Sequence, residues 1–107
     1  MNYTQKVKEH LARCDLSTVS LDSTASAIFA SSRTLSRRLS DEGFSFIALR
    51  EEARKRRCVE LLKSDPRANA EAVARDCGYS EATTAARAFR GWFGCGLREF
   101  RNDRLER

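Results

Sequence analysis

Apolar residues along this chain recur at intervals of three and four positions, the spacing that gathers side chains on one face of a helix. Tyr3, Val7, Leu11 and Cys14 form one such row, Leu35 and Leu39 a second, and Ala85, Ala88, Phe89, Trp92 and Phe93 a third. β-Branched alternation is absent and Pro66 is the single proline, so the pattern predicts an all-α chain. Helix one is expected over Thr4–Cys14. Helix two follows Ser20, an N-cap residue, and runs through Ala25 and Ile28; Ser31 caps a third helix, Ser32–Asp41, closed by Gly43. A longer helix, about 28 Å from end to end, is expected from Ser45 to Lys63. It stops at Ser64-Asp65-Pro66-Arg67, because the residue before a proline is pushed out of the helical region. Helix five begins after Asn69, helix six covers Ser80 to Phe93, and helix seven covers Leu97 to Arg104 beyond the turn Gly94-Cys95-Gly96.

The halves echo each other. Ala25-x-x-Ile28-x-x-Ser31 has a counterpart 49 positions on in Ala74-x-x-Cys77-x-x-Ser80, and Arg37-x-Leu39 has one 50 positions on in Arg87-x-Phe89. Each half thus holds a short helix, a tight turn and a second helix, which is the helix-turn-helix plan. The expected architecture is about seven helices forming two helix-turn-helix subdomains, residues 1–44 and 65–107, joined by a long linker helix over 45–64.

Charge sharpens this picture. The net charge is +5, and of the 20 basic residues arginines far outnumber lysines. Guanidinium offers a planar donor fork that suits phosphate and base edges. Up to Ala53 acids and bases balance; the whole excess lies beyond it. On helix three Leu35 and Leu39 share one side, with Arg33 and Arg37 opposite and Ser36 at the edge of that polar side. On helix six the apolar row above opposes Thr83, Arg87 and Arg90, with Ala86 beside them. One face packs and the other is available to nucleic acid. Phe89, Trp92, Phe93 and Phe100, at helical spacing and away from the arginines, read as core and not as a stacking platform for bases. Arg54 shares a stripe of the long helix with Phe46 and Leu61, where an ion pair with Asp76 or Glu51 is favoured over phosphate contact. Arg98, Arg101 and Arg104 recur every third position and read either as phosphate contacts or as solvated charge.

Other chemistries find little support. Cys14, Cys58, Cys77 and Cys95 are far apart, and His10 is the single histidine, so neither a zinc site nor a disulfide framework is expected. The cysteines read as small buried hydrophobes. No nucleophile, base and orienting partner assemble, so no catalysis, metal or cofactor is expected. No apolar run is long enough for a membrane span, and no apolar segment follows Met1 as in a signal peptide; a soluble cytoplasmic protein is expected. The amphipathic row that begins at once suggests a piece of something longer.

Several segments together resemble the DNA-binding domain of the AraC/XylS family of bacterial transcription regulators. They are Ala74-Arg75-Asp76-Cys77-Gly78-Tyr79, Arg87-Ala88-Phe89-Arg90-Gly91-Trp92-Phe93-Gly94 and Glu99-Phe100-Arg101, with Ser31-x-Arg33-Thr34-Leu35-x-Arg37-Arg38-Leu39, Gly43, Arg54 and Leu61-Leu62 in the first half and long helix. The resemblance extends over about residues 17 to 101. It departs from the family at Ala85, where an aromatic is usual, at Gly96-Leu97, where Ser-Pro is usual, and at Phe29, where glycine is common. It implies sequence-specific binding of double-stranded DNA without enzymatic activity. The base-facing positions it implies are Ser32, Arg33, Thr34, Ser36 and Arg37, and Ala82, Thr83, Thr84, Ala86 and Arg87. Phosphate contacts are expected at the helix N-termini near Ser20 and Asn69 and from Arg90, Arg98 and Arg101. RNA polymerase and an N-terminal sensing and dimerisation domain are the further partners it suggests. The alternative is a helical protein-interaction module that keeps the fold without specific DNA binding.

Overall fold

The computed structural model describes residues 2–105, with side chains through Asn102; the Arg104 side chain lies outside the described residues. Seven helices follow one another: α1 (Tyr3–Arg13), α2 (Leu21–Ala27), α3 (Ser32–Asp41), α4 (Phe46–Ser64), α5 (Ala70–Cys77), α6 (Ala82–Phe93) and α7 (Leu97–Leu105). No strand occurs among the described residues. The all-α expectation is met, and helix ends fall within a residue or two of those read from the sequence. The chain packs as two compact units, Met1–Ala53 and Arg54–Arg107, and the boundary between them lies inside α4.

Polar caps explain where most helices begin. Asn2, Ser20, Ser31 and Asn69 each accept a hydrogen bond from a backbone N–H in the first turn of the helix they precede, and Ser45 does so at the start of α4. Such a cap stabilises its helix by about 1 kcal/mol. Ser20 and Ser23 cap reciprocally, side chain to backbone in both directions.

In the first unit Val7 and Leu11 of α1, Leu16, Ala25 of α2, Leu35 and Leu39 of α3 and Leu49 of α4 close one apolar core. Burial of each leucine contributes about 1.5–3 kcal/mol. The core places α1 beside the end of α3, where Glu42 fixes it. The Glu42 carboxylate accepts from the Thr4 hydroxyl at 2.6 Å, the Thr4 N–H at 2.9 Å and the Tyr3 N–H at 3.2 Å. These bonds hold the Glu42 carboxyl below its ordinary pKa.

The second unit encloses Cys58, Leu62, Ala68, Val73, Ala74, Cys77, Ala85 and Phe89. Phe89 anchors an aromatic group with Phe93 at 4.6 Å and Phe100 edge-on at 5.3 Å, so these rings are core, as their spacing implies. Ala85, at the position where an aromatic is usual, is fully buried. The four cysteines are free thiols, Cys58 and Cys77 buried and Cys14 and Cys95 half-buried. A hydrogen bond with Cys58, reinforced by burial, pushes the Cys77 thiol far above the ordinary thiol range.

Candidate nucleic-acid interface

A reading helix must be held by one face and offered by the other, and α3 meets both conditions. Leu35 and Leu39 are 0% exposed, whereas Arg33, Ser36 and Arg37 stand in solvent. Its N-terminal turn is tied down by hydroxyls. Ser31 accepts from the Thr34 N–H at 3.1 Å and donates to Thr34 Oγ1 at 2.9 Å, while the Ser32 hydroxyl donates to the Asp22 carboxylate of α2. Ser32 and Thr34, both expected to face bases, are half-buried and joined to these local bonds; Arg33, Ser36 and Arg37 form the open part of the set. An open trough between Leu21 and α3 is lined by Ser32, Arg33, Ser36 and Arg37.

The second reading helix is held differently. Ala85 and Phe89 are buried, and Thr83, Thr84, Ala86 and Arg87 are exposed on the other side, with Ala82 half-buried at the start. No hydroxyl caps it. The sequence places a serine, Ser80, at the expected start, yet the N-cap is Glu81, whose side chain makes no cap hydrogen bond.

The turn explains the shift. In both units a left-handed residue ends the first helix of the pair, Phe29 with φ +62° and Gly78 with φ +86°. In both, the next residue closes the helix end by the same bond, Ala30 N–H to the Ala25 carbonyl and Tyr79 N–H to the Ala74 carbonyl, each 2.9 Å. The N-cap then follows two residues after Phe29 but three after Gly78. One extra residue carries Ser80 out of the capping position. This is the physical origin of the change in spacing, from 49 to 50, between the halves of the internal echo.

The phosphate candidates divide by environment. Ser20 and Asn69 are exposed N-caps of α2 and α5, and Arg98 is exposed on α7. Arg90 is exposed, with its guanidinium close over Gly96. Arg101 is half-buried and donates from Nη2 to the carbonyl of Ala68 at 2.7 Å, which ties α7 to the loop before α5. The Arg54 guanidinium lies over the Tyr79 ring, 4.7 Å from its centroid, a cation–π contact the sequence reading did not include. Tyr79, next to the left-handed Gly78, was the available signal. Among the described residues no group of three or more His, Cys, Asp or Glu side chains could hold a metal ion. No helix among them is long and apolar enough to cross a membrane.

Comparison with known proteins agrees with this geometry. A family model described as a helix-turn-helix domain matches residues 24–103. The HTH-type transcriptional regulator VqsM of Pseudomonas aeruginosa is 37% identical over 83 residues, 78% of this chain and 25% of that protein. An uncharacterized HTH-type transcriptional regulator of Mycobacterium bovis is 41% identical over 68 residues, 64% of this chain and 20% of its own length. The chain therefore spans a quarter or less of the relatives it matches. Among solved structures, a DNA-binding transcriptional dual regulator of Escherichia coli K-12 superposes with a TM-score of 0.91 at 23% identity, covering 100% of this chain and 96% of that one. The transcriptional regulator CdpR of Pseudomonas aeruginosa gives 0.82 at 31% identity over 94% of this chain and 31% of that one. With the family model matched over most of its length and the paired helices arranged as described, the chain belongs to the AraC-type helix-turn-helix family of transcription regulators.

Proposed function

We propose that this chain binds double-stranded DNA sequence-specifically, reading base edges in the major groove with α3 and α6. The observation that carries the reading is α3 itself: two arginines and a serine exposed along one face, backed by two fully buried leucines and a hydroxyl-locked first turn. A guanidinium fork grips the O6 and N7 of guanine bidentately. Ser32, Arg33, Thr34, Ser36 and Arg37 form the first base-reading set, and Ala82, Thr83, Thr84, Ala86 and Arg87 the second. Ser20, Asn69, Arg90 and Arg98 supply the phosphate contacts of the proposal; Arg101, expected beside them, already donates to the Ala68 carbonyl and is read as structural. In functional terms residues 1–44 and 65–107 are the two reading subdomains and 45–64 their link. The proposal extends to action in the cytoplasm without catalysis, to contact with RNA polymerase and to a sensing and dimerisation domain outside this module; the matched residues make up 25% of the length of VqsM, which leaves room for such a domain in a longer protein.

The test is recovery of bound duplexes from a random pool, followed by titration of the recovered and random duplexes at several salt concentrations. A defined motif bound at least about a thousandfold more tightly than random DNA is expected. Binding that falls with salt but prefers no sequence would leave a non-specific module. The rival reading, a protein-interaction module, draws on the exposed apolar side chains Phe29, Phe44 and Ile47; it requires weak, sequence-indifferent DNA binding in the same titration.

A further inference from the structure

We infer that Glu81 is a specificity-determining residue of the second reading helix, one that selects cytosine at a single position. The inference rests on the DNA-binding reading above and goes beyond its residue set, which begins at Ala82.

In a helix-turn-helix the N-terminal residues of the second helix lie nearest the base edges. At that place in α3 stands a capping serine, whose oxygen is engaged by the Thr34 N–H. At that place in α6 the longer turn puts Glu81, extended at φ −135° and ψ 142°, exposed, and without a cap hydrogen bond. Its neighbours on the reading side are small: Ala82, Thr83 and Ala86 leave the carboxylate the longest acidic group at that end. A carboxylate accepts hydrogen bonds and donates none. In the major groove guanine shows two acceptors, thymine an acceptor and a methyl, and adenine an acceptor beside its donor. Cytosine alone presents an amino donor with no acceptor of its own, and Glu accepts from that N4 group. The same negative charge repels phosphate, so Glu81 lowers affinity for random DNA while raising discrimination. A residue serving only as a poor helix cap would have no such pair of effects.

The experiment compares the 107-residue chain with Glu81→Gln and Glu81→Ser in selection from a random duplex pool, with affinities for the recovered and random duplexes and thermal unfolding of each protein. The wild type is expected to enrich cytosine at one position in the part of the motif lost on Arg87→Ala. Glu81→Gln should lose that preference, about tenfold in discrimination against the other bases at that position. The rest of the motif should stay intact, and random-duplex affinity should rise. Glu81→Ser restores a capping hydroxyl, so it should raise the unfolding temperature yet lose the same cytosine. An unchanged motif in Glu81→Gln overturns the inference and leaves the DNA-binding reading standing. A wild type that enriches no sequence overturns both.

Discussion

In the first helix pair, α2 and α3, the residue that bends back the chain is a phenylalanine, and a capping serine follows two residues later. In the second pair, α5 and α6, the bending residue is a glycine and the cap position, three residues on, holds a glutamate. The first turn is strained at Phe29 but hands α3 a full set of hydroxyl bonds. The second turn is relaxed at Gly78 and hands α6 none at its cap. Orientation of α6 must therefore come from its buried side, Ala85 and Phe89, and from the aromatic group around Phe89. On the proposed DNA-binding reading, the difference implies a division of work. A helix fixed at its N-terminal turn and carrying two exposed arginines suits discrimination between bases, whereas a unit that holds the whole net charge suits sequence-independent attraction.

Arg37→Ala gives the largest expected effect on DNA binding and could reverse this division. On the preferred duplex it should cost about 1–3 kcal/mol of binding, and on random duplex much less. Arg90→Ala should instead weaken both duplexes alike and lower the slope of log affinity against log salt by about 1. Affinity series in salt for both variants on both duplexes decide the matter. If Arg90→Ala removed discrimination while Arg37→Ala lowered both affinities equally, the two units would have exchanged roles.

Arg101 sharpens the comparison on the stability side. Its Nη2 satisfies the buried Ala68 carbonyl, so Arg101→Ala should destabilise the second unit by about 1.5–3 kcal/mol. The salt slope of DNA binding should hardly change. Chemical denaturation followed by the fluorescence of Trp92, the single tryptophan, reads this unit selectively. A fall of about 1 in the salt slope with unchanged stability would assign Arg101 to phosphate instead.

The turns provide the next contrast. Gly78→Ala forces a Cβ into the left-handed region and should cost about 1–2 kcal/mol. Phe29→Gly removes the corresponding strain from a side chain that is 97% exposed and buries almost nothing. It should stabilise the first unit by about 1 kcal/mol, after allowance for the extra freedom glycine gains in the unfolded chain. Thermal unfolding of the two variants checks both signs. Should Phe29→Gly destabilise, the exposed ring would be contributing contacts that its exposure denies.

Much of this was legible beforehand because it follows from local rules. Caps at Ser20, Ser31 and Asn69 and the faces of α3 and α6 depend on residue type and on periods of three and four. The missed features depend on the exact length of a turn or on geometry across residues distant in sequence. Ser80 looks like a cap as good as Ser31, and only the extra residue after Gly78 moves it out of place. Arg101 joins Ala68 across 33 positions, and Glu42 reaches Thr4 across 38, with no periodic trace of either. The Arg54 guanidinium also lies over the Tyr79 ring, an acceptor that charge counting does not register.

The two units also differ in how each secures its outermost helix, and acid should expose this, with the smallest effect of the series. In the first unit α1 is held by the Glu42 carboxylate, in the second α7 by the Arg101 guanidinium. The Thr4 hydroxyl, then the Thr4 N–H, with help from the Tyr3 N–H and the Arg38 charge, lower the Glu42 pKa against a smaller opposing effect of desolvation. A carboxyl whose folded pKa lies below its unfolded value, about 4.3, binds protons more readily when unfolded. Its stabilisation is therefore complete above that pH and is lost as pH falls through the lower folded value. Arg101 stays charged throughout this range, so the second unit has no matching loss at that contact. Helix content followed by circular dichroism should begin to fall at acid pH before Trp92 fluorescence responds. Glu42→Gln keeps an acceptor oxygen but cannot titrate, so its unfolding temperature should lie below that of the wild type at neutral pH and converge with it below about pH 4. Parallel curves for the two proteins from pH 3 to 7 would show that the carboxylate contributes no charge-dependent hold on α1, and the contrast between the units would then rest on their turns alone.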